Sequence, residues 1–373
     1  MTPRAEPGRR RGPGLDGRLG RPARALVAVL VCVAGASGRQ GAEAAASTRP
    51  HEDLGSSVAR AAAPLLKSTS PGSPRMIPAR DGWVTKSSLQ LFRLLNPDLF
   101  PARKSAPLDP LAQAVDAIVD TQRQLARRGI DLLIVPIPSR MSVYPEALAE
   151  VEVGPDFHGF APGLDRFHAR LRARGVEVLD LLPRLAAERG SLAADTDEQV
   201  FLRVNGHWSP KGASLASQAL AEYVRARPWF AGSDAFPANG ERATRLETTR
   251  DIWQATDMQL PAGVEAPTLR FERVVTATGE LAAGADPTSP VVLWGDSFAR
   301  IFKSEGADVP RHLHHLLGAP LDVIALDAGG PYASRAAFAR RRQALAGKRL
   351  VIWTFAARSL LTDQWKPVRL QRD

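Results

Sequence analysis

The run Val291-Val292-Leu293-Trp294 ends in Gly295-Asp296-Ser297 and passes at once into Phe298-Ala299-Arg300. Consecutive apolar residues leave no side for water, so the segment reads as a strand buried on both faces, as in a parallel sheet covered by helices. Gly-Asp-Ser at its end reads as a tight turn into a helix, with Asp or Ser able to cap it. A serine there stands at the C-terminal edge of the sheet and at a helix N-terminus, where backbone N–H groups face whatever its hydroxyl attacks. Alone, the motif is equally satisfied by capping. A second signal is needed.

The remaining chain alternates in the same way. Asp109 caps a helix, Pro110 takes its first position, Leu111, Val115, Ile118, Val119 and Leu125 share one face, and Gly129 ends it. Strands are expected at Ile130–Val135, Val176–Asp180, Leu321–Leu326 and Arg349–Phe355, and helices near Pro162–Arg174, Leu181–Arg189, Pro210–Arg225, Pro310–Leu317 and Ser334–Leu345. Between Arg227 and Pro290 the rhythm breaks into an irregular insertion with one candidate strand, Leu269–Thr276. The pattern predicts an α/β domain over residues 76–373, its order beginning near Asp81-Gly82-Trp83.

Residues 1–46 read as an export signal or an N-terminal anchor: eight arginines against three acidic residues, then an uncharged apolar run from Ala25 to Gly38 and small residues. That run is short beside the roughly 20 residues that span a bilayer. Residues 47–75, rich in Ser, Pro, Ala and Gly, read as a flexible linker. Cys32 is the single cysteine, and Val31 before it does not suit a lipidation site; removal of the signal leaves neither a disulfide nor a thiol nucleophile. The net charge of +10 shows no basic stripe interleaved with aromatics, so no nucleic-acid partner is indicated.

The second signal is Asn205-Gly206-His207-Trp208-Ser209-Pro210. His207 lies just before a helix start, where a neutral imidazole could take a proton from a serine and return it to a leaving group. Read alone, the histidine would equally suit a structural role beside Trp208.

With both motifs in hand, the chain resembles the alginate O-acetyltransferase family of the AlgX/AlgJ type, whose domain is similar to SGNH hydrolases. That family has a D-x-H-W motif ahead of G-D-S-F, a permuted motif order. Further resemblance lies in Asp81-Gly82-Trp83, Pro136–Arg140, Tyr144-Pro145-Glu146, Asp327–Gly330 and Val351–Arg358. The resemblance implies a three-layer fold with a parallel sheet between helices. It makes Ser297 the nucleophile and His207 its base, and implies O-acetylation of an exported polysaccharide in the periplasm, or from an inner-membrane anchor. It also implies a membrane-bound O-acyltransferase partner as acetyl source. The end of the chain soon after its last strand makes it more similar to the AlgJ-like members than to longer two-domain ones.

One position departs from the family: Asn205 stands where an Asp is expected. An amide can orient the imidazole but cannot stabilise its cation. Asp195, Asp197 and Asp257 are candidates to supply the missing carboxylate, Asp257 first because relatives carry an acidic residue in that region. Oxyanion donors are expected from the Gly295-Asp296-Ser297 turn and from Gly329-Gly330. Arg140 and Arg358 are candidate cleft residues for a carboxylate-bearing sugar, and Trp208 a candidate stacking platform. His312, His314 and His315 read as a solvated face and not a metal site, and no nucleotide-binding motif occurs, so no cofactor is expected. Two rival functions stay open: an acetylesterase using the same groups, and a non-catalytic polysaccharide-binding or scaffold protein, favoured by Asn205.

Overall fold

The computed structural model describes residues 54–61, 63, 76–78, 81, 83–86, 109–231, 233–236, 244–253, 265–327, 329–362 and 364–370. Residues 1–46, read above as a signal or anchor and including Cys32, and Asp257 lie outside the described residues. Among those described, no helix is long and apolar enough to cross a membrane.

The short strands β1 (Met76–Pro78) and β2 (Val84–Lys86) form an antiparallel pair ahead of the main sheet. That sheet contains β3 (Asp131–Ile137), β4 (Glu177–Val178), β7 (Val291–Gly295), β8 (Asp322–Ala325) and β9 (Leu350–Ala356). Its order is β4-β3-β9-β7-β8, and every pairing is parallel. Apolar runs occupy its centre, as the absence of a polar face in those runs requires: β7 and β9 are buried along their whole length. Trp294 and Trp353 meet edge-on across them, with ring centroids 5.8 Å apart. The architecture is a parallel sheet flanked by helices, an α/β fold.

Helix boundaries follow their local signals. Helix α2 (Pro110–Ala126) starts with the Asp109 side chain accepting the Leu111 N–H at 3.1 Å. Helix α4 (Pro162–Arg172) gives way to Gly175 at φ +73°, a conformation open to glycine at little cost. Helix α6 (Pro210–Arg225) is capped by Ser209, whose hydroxyl accepts the Gly212 N–H.

Four expectations are corrected. Residues 54–61, read as linker, form helix α1, and Val58 is buried in the core; Leu54 and Val58 lie one helical turn apart and pack together on it. The insertion is ordered in part: β5 (Thr244–Ile252) and β6 (Thr268–Thr276) pair antiparallel over nine residues each. The last interior helix runs Gly330–Ala339 (α9) and not Ser334–Leu345, because Gly329 and Gly330 supply the left-handed turn that starts it. The three histidines of α8 (Val309–Leu317) are buried and not solvated. His312 donates to the Glu272 carbonyl and His315 bonds Thr244, pinning α8 to the inserted hairpin, while His314 donates to the Ala283 carbonyl in the segment after it.

Burial pushes the His312 imidazole below its usual pKa, against the opposing pull of the Glu272 carbonyl and of Asp308. Its Nε2–H is used on that carbonyl, so a second proton would enter at Nδ1, which is buried without a partner. The unfolded chain then binds a proton more readily than the folded one, so His312 favours folding fully above its ordinary value and less as pH falls through it. Thermal melts between pH 8 and 5 should show a decline, in part removed in His312→Gln. A decline of equal slope in the variant would contradict this.

Candidate active site

The Gly295-Asp296-Ser297 turn is built by β7 and a short helix, α7 (Ser297–Arg300). Gly295 is required by close approach: a Cβ there would lie 2.6 Å from the Ala299 Cβ and 3.2 Å from the Thr354 hydroxyl. Gly295→Ala is expected to cost about 1–3 kcal/mol by overpacking, read as a lowered melting temperature. The buried Asp296 carboxylate caps α7 by accepting the Phe298 N–H at 2.9 Å. It also accepts the Ala356 N–H at 2.8 Å, tying the end of β9 to the turn. Burial pushes its carboxyl above the usual range, opposed by these two N–H groups and by Arg358. Ser297 is left at the first helical position with its hydroxyl at the sheet edge.

His207 arrives on a hairpin. Val200 accepts the Ser209 N–H, Leu202 donates to the His207 carbonyl, and Phe201 bridges Trp208. Residues 203–206 make the tip. The His207 ring packs on Phe298 at 4.5 Å between centroids, and its Nε2 lies 2.8 Å from Ser297 Oγ.

Asn205 completes the line. Its Oδ1 accepts the His207 backbone N–H at 3.1 Å and stands 2.6 Å from His207 Nδ1. A backbone N–H can only donate, so the amide atom facing it is the oxygen. The same oxygen then requires a proton on Nδ1, which leaves Nε2 bare to accept the Ser297 hydroxyl proton. An amide presenting its NH2 group to Nδ1 would force the opposite, useless tautomer. Asn205 thus meets the orienting half of the carboxylate's role and not the charge-stabilising half.

Of the alternative carboxylates, the two among the described residues, Asp195 and Asp197, are placed elsewhere. Asp197 accepts the Arg270 N–H and pairs with Arg250, holding the β5–β6 hairpin, and Asp195 is exposed.

Two expected cleft residues belong beneath the site. Trp208 is 1% exposed and meets Phe298 edge-on at 5.2 Å, so it packs the floor and offers no face to a sugar. Arg140 is 3% exposed; one terminal nitrogen donates to the carbonyls of Leu202, Arg203 and Asn205 at 2.9–3.0 Å. Burial pushes its guanidinium down to about 9, still protonated at neutral pH. Arg358 does stand at the mouth: it is exposed, its guanidinium is 5.8 Å from the Phe298 ring, and it lies beside Gly206. Gly329 and Gly330 begin α9 after β8, the strand next to β7, both with positive φ. Sequence reasoning missed Phe298 as the ring on which both His207 and Trp208 rest. Its place directly after the serine was the available signal.

A serine at the end of a central parallel strand, met by a histidine from a separate loop, is the arrangement of a serine-dependent hydrolase or acyltransferase. The chain belongs to the family of SGNH hydrolase-like domains of the acetyltransferase AlgX, whose family model matches residues 98–357. It is 31% identical over 229 residues to the probable alginate O-acetylase AlgJ of Pseudomonas fluorescens, covering 58% of this chain and 53% of that protein. To the probable alginate O-acetylase AlgJ of Pseudomonas aeruginosa it is 32% identical over 155 residues, covering 41% and 34%. The matched stretch thus spans about half the length of the first relative and a third of the second. In fold it is similar to the O-acetyltransferase domain of Pseudomonas putida AlgJ, with a TM-score of 0.56 at 22% identity over 79% of this chain and 94% of that one.

Proposed function

We propose that this domain transfers acetyl groups to hydroxyls of an exported polysaccharide through an acyl-enzyme on Ser297. The observation that carries the reading is the continuous line from Asn205 Oδ1 through His207 to Ser297 Oγ, with contacts of 2.6 and 2.8 Å and the productive tautomer fixed by the backbone. Family membership supports it, as do relatives named as alginate O-acetylases.

In this reading His207 Nε2 takes the proton of Ser297 as its oxygen attacks the acetyl carbonyl. The oxyanion is met by the Ser297 backbone N–H and by a second donor from Gly329-Gly330. Collapse expels the donor's leaving group, which receives the proton from His207. A sugar hydroxyl then attacks acetyl-Ser297 while His207 takes its proton, and collapse returns that proton to Ser297. The acetyl source is a membrane-bound O-acyltransferase, and the site of action is the periplasm, reached through the N-terminal export segment or held there by it.

Arg358 at the mouth suits a carboxylate-bearing sugar, because its planar fork can take a carboxylate in two parallel hydrogen bonds. Arg358→Ala is expected to raise KM for an acidic oligosaccharide about tenfold or more, the loss of one charge-assisted pair, while acylation by a small neutral ester holds. An unchanged KM would remove Arg358 from recognition.

The test supplies a small activated acetyl ester together with uronate oligosaccharides and follows both products. Acetylated oligosaccharide lost in Ser297→Ala supports transfer. Release of acetate alone, at a rate the oligosaccharide does not alter, would make the protein an esterase and overturn the reading.

A further inference from the structure

We infer that Arg140 is a positioning residue for this reaction: from beneath the 200–209 hairpin it fixes the tip so that Asn205 holds His207 toward Ser297. The inference rests on the acyl-enzyme reading for its functional meaning, and on geometry for its substance.

Arg140 opens the short helix α3 (Arg140–Val143), just past the C-terminal end of β3, where Ser139 caps the turn. It therefore rises from the rigid sheet, two strands from β7 in the order β3-β9-β7. One terminal nitrogen carries two N–H groups yet meets three carbonyls, those of Leu202, Arg203 and Asn205, so at least one N–H is shared. Three carbonyls turned toward one point repel each other unless a cation sits between them. Arg203 and Asn205 belong to the hairpin tip and Leu202 directly precedes it, so the guanidinium ties together the two sides of the turn that carries His207. The guanidinium also lies 5.6 Å from the ring of buried Trp83, so it is clamped on a second side. The Asn205 carbonyl is gripped directly, and two residues later comes His207. A small rotation of the tip would part Oδ1 from Nδ1. An error of about 1 Å in such a contact can cost a hundredfold in rate.

The experiment compares full-length wild type, Arg140→Met and Arg140→Lys. Acylation of Ser297 by an activated acetyl ester gives the rate, with kcat and KM separated. Imidazole nitrogen NMR of His207 gives its tautomer without any turnover, and a melt reports folding. Arg140→Met should lower the acylation rate about a hundredfold with KM nearly unchanged and should lose the fixed Nδ1–H signature. Arg140→Lys, whose ammonium has three N–H groups for the three carbonyls, should recover much of both. Equal rates and an unaltered imidazole signature in folded Arg140→Met would overturn the inference. So would Arg140→Met that fails to fold beside Arg140→Lys that folds without restoring the signature. If wild type does not acylate while its imidazole signature still depends on Arg140, the positioning stands and the acyl-enzyme reading falls.

Discussion

Replacing Ser297 with alanine should lower acetyl transfer by at least about a thousandfold, and His207→Ala should do nearly the same. The two side chains share one proton, so neither retains its effect without the other. The double variant is accordingly expected to be no worse than either single one, a non-additivity that independent binding contributions would not show. Both positions are half-buried, and Ser297→Ala removes one oxygen from a turn whose cap is supplied by Asp296. Folding should persist, and initial-rate measurements on folded protein test the expectation. Additive losses in the double variant would mean that the 2.8 Å contact between His207 and Ser297 is not used in the reaction.

Asn205 should give the second largest effect, and its sign depends on the replacement. Asn205→Leu removes the oxygen that takes both the His207 backbone N–H and Nδ1–H. The ring is then free to adopt the other tautomer, and the rate should fall on the order of a hundredfold or more. Asn205→Asp keeps that oxygen and adds a charge. A carboxylate stabilises the imidazolium, so the rate on the alkaline plateau should rise. The same charge raises the imidazole pKa, and because the base must be neutral, the acid limb of the pH–rate profile should move upward by about one unit or more. The wild-type protein should therefore keep a larger share of its plateau rate at mildly acidic pH than the Asp variant. A pH–rate series on the three proteins checks this. A limb that does not move in Asn205→Asp would show that position 205 does not face His207 in solution.

The sheet was legible where burial leaves its mark on composition. β3, β7 and β9 have no wet face, and their apolar runs announce it. Helix starts at Asp109-Pro110 and Ser209-Pro210 were readable because capping is local chemistry. The strand β5 was not, since Thr244–Ile252 has charged residues along an exposed stretch and its order comes from pairing with β6. Likewise α1 shows itself only through Val58 reaching the core.

At the site, Asn205, His207 and Ser297 were singled out by their motifs together with the family resemblance, and the structure brings them into one line. Burial was not legible. Arg140 and Trp208 are residue types that serve equally in a cleft or under it, and the choice is made by a hairpin folding over them. The α8 histidines were misjudged for the same reason, because their acceptors lie on the distant segments around Thr244, Glu272 and Ala283. Nothing local in His312–His315 encodes those partners.

The proposed reaction turns on a covalent acetyl group on Ser297. Intact-mass analysis of the full chain after brief exposure to an activated acetyl ester, followed by peptide mapping, tests it most directly. One added acetyl group is expected on the peptide carrying Ser297, absent from Ser297→Ala and formed far more slowly in His207→Ala. Wild-type protein that stays unmodified, or that carries acetyl groups only on lysines and equally in Ser297→Ala, would contradict it.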